Sequence, residues 1–171
     1  MKNIRHSCFL CSSMALILSI FLSCGVSEDM GGSGGSGGNE NLLPVFKGTS
    51  SYMGTSVSDL IMYQSQTEPN LYCISGFFGS DGGLIFTWDK DSNLISMEES
   101  NTGLYNDKGP IYIVSQSRYR SLIETGAQDS FYTPSSGVFT FNVIFEYADY
   151  DGTIVHMQSM LFFTIQETIP S

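Results

Sequence analysis

The stretch that decides the fold class is Val138-Phe139-Thr140-Phe141-Asn142-Val143-Ile144-Phe145-Glu146-Tyr147. Every second residue from Phe139 to Tyr147 is aromatic or β-branched, and polar residues occupy most of the positions between them. Successive side chains on a β-strand point to opposite faces, so this alternation predicts a strand with one apolar face. The pair Asp151-Gly152 follows and favours a hairpin, because glycine accepts the positive φ of a tight turn. The returning strand is expected to form its apolar face from Val155, Met157, Leu161, Phe163 and Ile165.

Shorter runs of β-branched and aromatic residues precede this hairpin, at 71–78, 84–88, 94–97 and 111–114. Turn-forming Gly, Asp, Asn and Ser residues separate them, and a further strand is expected within 52–63 although Gly54 interrupts its pattern. A helical turn is plausible only within 117–125. Many short strands with regular turns predict an all-β fold, an antiparallel β-sandwich, with a small β-barrel as the alternative.

The N-terminus has the three-part plan of a secretory signal peptide. Lys2 and Arg5 give a charged start, 9–22 is an apolar stretch, and Ser23-Cys24-Gly25 is a small-residue exit. We therefore assign residues 1–23 to a signal peptide. An uncleaved membrane anchor is the alternative, but the serines within the stretch argue against it, because a spanning helix needs about 20 predominantly apolar residues.

Leu22-Ser23-Cys24 resembles the lipobox of bacterial lipoproteins, in which the peptidase cuts before a cysteine that carries diacylglycerol. That family usually has Leu three positions before the cysteine, where this chain has Phe21. The resemblance implies that Cys24 is the lipidated first residue of the mature chain and attaches it to a membrane. Acyl chains hold a protein at the bilayer by burying methylenes, at roughly 0.8 kcal/mol each. The alternative is an ordinary secreted protein in which Cys24 carries no lipid.

Residues 24–40 form a tether between the lipidation site and a single β-domain at 41–171. The run Gly31 to Gly38 contains only Gly and Ser, which behave as a flexible chain. Its regular repeat is also typical of an engineered linker. Ser27-Glu28-Asp29 resembles the short acidic signals that send Bacteroidetes lipoproteins to the outer face of the outer membrane. The resemblance implies an outer-membrane, surface-exposed lipoprotein.

Short motifs within the β-domain extend this resemblance. The clearest are Gly48-Thr49-Ser50-Ser51-Tyr52, Glu68-Pro69-Asn70-Leu71-Tyr72 and the late strand Gly137-Val138-Phe139-Thr140-Phe141. With Met62-Tyr63-Gln64 and Phe86-Thr87-Trp88-Asp89, they resemble, over residues 45–166, a module of Bacteroidales surface lipoproteins. The chain departs from that module at Asn70, where Gly is usual, and at Cys73, where Arg is usual. Because the module has no defined activity, the resemblance implies only a location at the cell surface and a β fold.

The residues offer little support for catalysis. The 17 acidic and 7 basic residues give a net charge of −10, which repels phosphate and disfavours nucleic acid as a partner. His156 is the one histidine of the predicted mature chain and is expected on an exposed strand face, and Cys73 is expected to be a small buried hydrophobe. Asp89-x-Asp91-x-Asn93 begins like a calcium loop, but Leu94 replaces its required glycine. We predict no catalytic residue, metal or cofactor.

Aromatic residues near strand ends are the remaining candidates for a binding site. Trp88, Asp89, Tyr105 and Tyr112 are the ligand-binding residues we predict, because aromatic rings can stack on sugars while a neighbouring carboxylate bonds hydroxyls. Core and edge packing is the alternative role for each ring. The sequence thus favours a non-enzymatic, lipid-anchored binding or accessory module at the cell surface, with glycans as the ligand to test first. A structural or adhesion protein that presents the Ile111–Val114 strand as a sheet edge to another envelope protein is the alternative, and a small hydrolase is third.

Overall fold

The structure is a computed structural model that describes residues 41–79, 81–123 and 126–170. The predicted signal peptide, Cys24 and the tether lie outside the described residues. Ten strands and one helix follow in chain order: β1 (Leu42–Tyr52), β2 (Thr55–Ser65), β3 (Leu71–Ser75), β4 (Gly83–Trp88), β5 (Leu94–Met97), β6 (Ser100–Asn106), β7 (Gly109–Ile113), α1 (Gln116–Leu122), β8 (Ser130–Thr133), β9 (Val138–Ala148) and β10 (Ile154–Thr168).

Eight of these strands close into an antiparallel barrel. Their order around the wall is β10-β1-β2-β3-β4-β5-β8-β9, and β9 pairs with β10 from Ala148↔Ile154 to Val138↔Thr164. The prediction of an all-β fold is confirmed. The pairing fits the small-barrel alternative, and the sandwich is not confirmed, because the sheet closes on itself instead of packing against a second one.

One position in the barrel wall is filled by two separate strands. The first half of β9 pairs with β8, at Thr140↔Phe131, whereas its second half pairs with β7, at Phe145↔Ile113. Between these strands, the described residues 114–123 and 126–129 lie outside the wall, and they include α1. No helix within the described ranges is long and apolar enough to cross a bilayer.

The sheet continues beyond β9 with two more strands, β7 and then β6. β7 pairs on one side with β9 and on the other with β6, so the prediction that Ile111–Val114 forms a sheet edge is wrong. The loop at Gly82 packs against β6 so closely that an added Cβ would lie 2.1 Å from the backbone nitrogen of Gly103. A neighbouring loop therefore covers part of β6, the last strand of the sheet.

The first hairpin explains the irregular pattern at 52–63. Met53 and Gly54 both have positive φ, at 45° and 80°, and they join Tyr52 directly to Thr55. Two central residues with positive φ are typical of a type I′ turn. Gly54 is therefore the turn between two strands, and the strand predicted there is the end of β1 and most of β2.

Aromatic side chains fill the barrel interior. The predicted apolar faces of β9 and β10 point inward, and Phe139, Phe141 and Phe163 are fully buried. An eight-stranded barrel has an interior just wide enough for side chains to fill it. Cys73 in β3 is buried, at 1% exposed, which confirms its prediction as a small buried hydrophobe.

The turn after β3 contributes two more aromatic rings to the core. The predicted strand at 71–78 ends at Ser75, and Phe77 and Phe78 turn into the interior. Ser50 donates a hydrogen bond to the carbonyl of Phe77 at 2.6 Å, and Tyr52 donates one to the carbonyl of Phe78 at 2.8 Å. Two side chains of β1 thus hold this turn in place.

Candidate functional site

A groove of about 400 Å³ lies on the outer surface of the barrel, between the wall and the segment that carries α1. Its floor comes from β4 and β5, where Thr87 and Ser96 are direct cross-strand partners. Both hydroxyl-bearing side chains are half-buried and alternate with the inward-facing Phe86, Trp88 and Met97. The alternation of the two strands therefore gives a polar floor outside an apolar core. We call this feature the α1 groove.

The α1 groove has a roof that includes Gln116, Ser117 and Arg120, all from α1. The helix is held against the wall by a small apolar cluster in which Tyr119 and Val114 pack on Ile144 of β9. The alternation along β9 predicts that Ile144 points outward, away from the barrel interior. Ile144 is nevertheless buried, because α1 covers this side chain.

The hydroxyl of Tyr119 gives α1 a polar attachment as well. It accepts hydrogen bonds from the backbone N–H of Gln128 at 3.2 Å and from Nε2 of Gln158 at 3.3 Å. Gln158 lies on β10, so the tyrosine connects the helix to a second wall strand. The roof of the groove is thereby positioned from two sides.

The charged groups of the α1 groove already have partners. Arg120 donates to Oδ1 of Asp129 at 2.7 Å. The carboxylate of Asp89 accepts a hydrogen bond from the Ser92 hydroxyl at 2.6 Å and one from the backbone N–H of Asp91 at 3.0 Å. These hydrogen bonds lower the pKa of Asp89, with the Ser92 hydroxyl as the largest cause. The carboxylate thus stays ionised and stabilises the β4–β5 turn.

Gln116 is the polar group of the groove whose hydrogen bonding is incomplete. The residue is only 9% exposed, and its amide oxygen Oε1 is buried with no hydrogen-bond partner. A buried polar atom left unpaired costs about 1–3 kcal/mol. A ligand that donates a hydrogen bond to this oxygen would recover that loss.

An apolar surface adjoins the groove. Leu94 lines it, and Phe131 of β8 is the direct cross-strand partner of Leu94. Both side chains are exposed, at 48% and 41%, although the interior nearby is full of buried rings. The α1 groove therefore combines hydroxyls, a buried acceptor and the apolar Leu94, and Phe131 lies beside Leu94 on the same face of the sheet.

Of the four predicted ligand-binding residues, Asp89 alone lines the α1 groove. Trp88 lies on the inner face of β4 and is only 7% exposed. Its ring packs edge-on against Tyr132 and Phe139, with centroids 4.9 and 5.0 Å away. Lys90 lies 5.5 Å from the indole centroid. We therefore assign Trp88 to core packing instead of ligand binding, because neighbouring side chains cover the ring.

Tyr105 lies at another part of the surface. It is 69% exposed near the end of β6, beside the turn that leads into β7. Asn106 donates a hydrogen bond from Nδ2 to the carbonyl of Ala148 at 2.7 Å, so the β6–β7 turn and the β9–β10 turn are joined. Tyr150 on the second turn is 84% exposed, with Lys108 5.0 Å from its ring centroid. We call the exposed Tyr105 and Tyr150 the turn aromatics.

Tyr112 is the fourth predicted residue, and it lies beside a cluster formed by Glu146, Arg118 and His156. It is 37% exposed on β7 and directly opposite Glu146 of β9. Glu146 binds the guanidinium of Arg118, and its Oε2 lies 2.8 Å from Nε2 of His156. His156 is on the exposed strand face, as predicted. The ion pair from α1 to β9 makes this cluster a further attachment of the helix.

Sequence reasoning missed Gln116, Arg120 and Phe131. Nothing in their local pattern distinguishes them: Gln116 and Arg120 reach the groove only because α1 packs against the wall, and Phe131 lies beside it only because β8 pairs with β5. The predicted helical turn at 117–125 was the one available signal, and α1 confirms it.

No three His, Cys, Asp or Glu side chains among the described residues are grouped so as to hold a metal ion. Neither a family model, nor a curated protein, nor a solved structure matches the chain. The α1 groove is therefore interpreted from its own chemistry.

Proposed function

We propose that the protein is a non-enzymatic, lipid-anchored module of the cell envelope that binds glycans in the α1 groove. Cys24 would carry the lipid, in an outer-membrane lipoprotein of the Bacteroidetes type displayed on the cell surface. The Gly/Ser-rich segment at 24–40 would serve as the tether between that lipid and the β-domain.

The observation that carries this proposal is the unpartnered oxygen of Gln116 in a polar groove of about 400 Å³. Ligand pockets usually measure about 300–1,000 Å³ and contain a few well-placed polar groups beside apolar ones. Sugars present many hydroxyl donors together with apolar C–H faces. The hydroxyls of Thr87 and Ser96 and the exposed Phe131 suit that pattern.

The state of the two groove carboxylates supports binding without catalysis. A glycosidase acid needs a carboxyl whose pKa is raised so that it carries a proton near neutral pH. The pKa of Asp89 is lowered instead, and Asp129 is in an ion pair with Arg120. These two groups are better suited to a fixed binding surface than to proton transfer.

The first experiment is a glycan array probed with the mature protein in detergent. We expect binding that Gln116→Leu weakens by about tenfold or more, because the variant removes the acceptor while keeping the side-chain volume. Gln166→Leu, which changes an exposed glutamine of β10, is the matched control and should bind normally. Absence of any glycan signal from a folded protein would overturn the proposed ligand.

The lipid anchor has its own test. We expect palmitate labelling of the full chain in cells, with loss of label and release from the membrane in Cys24→Ala. Labelling that persists in the variant, or membrane retention without label, would contradict the assignment of Cys24.

The turn aromatics favour a second candidate function, assembly with another envelope protein. Exposed tyrosines are enriched at protein interfaces because they provide apolar area and a polar tip. Crosslinking on intact cells should then capture an outer-membrane protein, and Tyr105→Ala with Tyr150→Ala should reduce the yield. Unchanged crosslinking in the double variant would remove this candidate.

A further inference from the structure

We infer that the α1 groove selects an uncharged sugar ring over acidic and amino sugars, and that Gln116 and Phe131 are the residues that recognise it. This inference rests on the proposed function and adds the chemical class of the ligand. It follows from the hydrogen bonding of the groove. The charged side chains that line it have partners, whereas the buried amide oxygen of Gln116 has none.

Among the described residues that line the groove, an acidic sugar would find no cation without an acidic partner. Arg120 is the cationic side chain that lines it, and its guanidinium is 2.7 Å from Asp129. A carboxylate or sulfate that approached Arg120 would also approach Asp129 and the ionised Asp89. Like charges in such proximity oppose binding, so uronates and sialic acids are disfavoured.

Within the described part of the groove lining, both carboxylates that could receive an amino sugar already have partners. Asp129 is in the ion pair with Arg120, and both oxygens of Asp89 accept hydrogen bonds within the β4–β5 turn. These contacts neutralise Asp129 and occupy part of the acceptor capacity of Asp89, which weakens the attraction of either carboxylate for an ammonium group. The groove therefore gives neither sign of charge a ready partner.

A neutral hydroxyl meets the one incomplete group. The amide oxygen of Gln116 needs a donor, and an O–H group supplies one without bringing a charge to a side chain that is nine-tenths buried. The hydroxyls of Thr87 and Ser96 on the floor can act as donors or acceptors to further sugar hydroxyls.

Phe131 suits the apolar face of the same ring. Its side chain shares the outer face of the sheet with Leu94, which lines the groove, and both are exposed. A sugar that points one hydroxyl at Gln116 can rest its C–H face against this surface. Removing Phe131 should weaken binding without disturbing the interior, because the ring lies outside the barrel core.

The test is an array that carries neutral, uronate-bearing, sialylated and amino-sugar oligosaccharides, probed with the mature protein. We expect signal on neutral glycans alone, a loss of about tenfold or more in Gln116→Leu and Phe131→Ala, and none in Gln166→Leu. Binding to the neutral glycan should change little from about 50 to about 500 mM sodium chloride, since it uses no ion pair. Circular dichroism of each variant establishes that it is folded.

Asp129→Asn sharpens the test because it frees Arg120 while preserving the shape of the side chain. This variant should gain binding to uronate-bearing glycans and keep its binding to neutral ones. Acidic or amino sugars that bind the unmodified protein in the groove would overturn the inference and leave the proposed function standing. Neutral binding that is indifferent to Gln116→Leu and Phe131→Ala would overturn the site. Failure of every glycan would overturn both proposals.

Discussion

Oε2 of Glu146 lies 2.8 Å from Nε2 of His156, and the same carboxylate binds the guanidinium of Arg118. Glu146 and His156 are direct partners across β9 and β10, whereas Arg118 comes from α1. One carboxylate therefore connects the helix that covers the α1 groove to two strands of the wall. The stability of this attachment depends on the ionised state of Glu146.

Acid should weaken the protein through this carboxylate. The hydrogen bond from Arg118 lowers the pKa of Glu146, and His156 adds to the effect. Because the folded pKa is below the ordinary value, the stabilisation is complete above the unfolded pKa and is lost as pH falls through the folded pKa. Urea unfolding from neutral to acid pH should show Glu146→Gln less stable by about 0.5–1 kcal/mol at neutral pH, with a shallower acid slope.

Glu99→Gln is the matched control for that series. Glu99 lies 3.7 Å from Arg118 and is well exposed, so its removal should change the free energy of unfolding little. An acid slope that is the same in Glu146→Gln and the unmodified protein would show that other carboxylates set the pH dependence.

Closure of the barrel should be sensitive to one glycine of β1. Gly48 sits where the pairing of β1 shifts register, and an added Cβ would lie 2.3 Å from the carbonyl oxygen of Thr164 on β10. Gly48→Ala should therefore force the two strands apart and lower the thermal midpoint strongly. In Gly54→Ala the new methyl meets no atom within 4 Å, so the cost is backbone strain of about 1 kcal/mol.

Differential scanning calorimetry of the two variants makes the comparison. The same substitution measures the cost of steric crowding at Gly48 and the cost of a positive φ at Gly54, where φ is 80°. Equal midpoints for the two variants would contradict the close approach of β1 and β10.

Trp88 should behave as a core residue. Trp88→Ala should cost about 3–5 kcal/mol of the free energy of unfolding, the range of large aromatic deletions in a core. Trp88→Phe should cost less, because it also removes the buried Nε1, which has no hydrogen-bond partner. Trp88 is the only tryptophan of the chain, so its emission reports on this site alone. The emission should be blue-shifted and unchanged by sugar, and a sugar-dependent shift would contradict its place in the core.

The strands of the last hairpin could be predicted because their side chains obey one local rule. Alternation from Phe139 to Tyr147 and the Asp151-Gly152 turn identify β9 and β10, which the structure confirms. Closure into a barrel could not be predicted in the same way. It depends on β1 pairing with β10, a contact between the two ends of the domain that no local pattern encodes.

The candidate site was less predictable for a similar reason. Asp89 was accessible to sequence reasoning because Asp, Ser and Asn favour a turn after a strand, and the turn is present. Trp88 also stands at the end of a strand, yet it points into the barrel, whereas Asp89 lines the groove outside it. The face that a side chain occupies depends on its place in the alternation along the strand. Gln116 is buried only because α1 packs on Ile144, and no sequence motif predicts this packing.

The hydroxyl of Tyr119 should link the stability of α1 to ligand binding. Tyr119→Phe keeps the buried ring but leaves the N–H of Gln128 and the amide of Gln158 without their acceptor. Each lost hydrogen bond is worth about 0.5–1.5 kcal/mol, so α1 should open more often while the barrel stays folded. Hydrogen exchange should accelerate in 114–123 and remain slow in β9, and affinity for a neutral glycan should fall because the roof that carries Gln116 is less often in place. Faster exchange with unchanged affinity would separate the helix from the binding site and place recognition on the floor and Phe131.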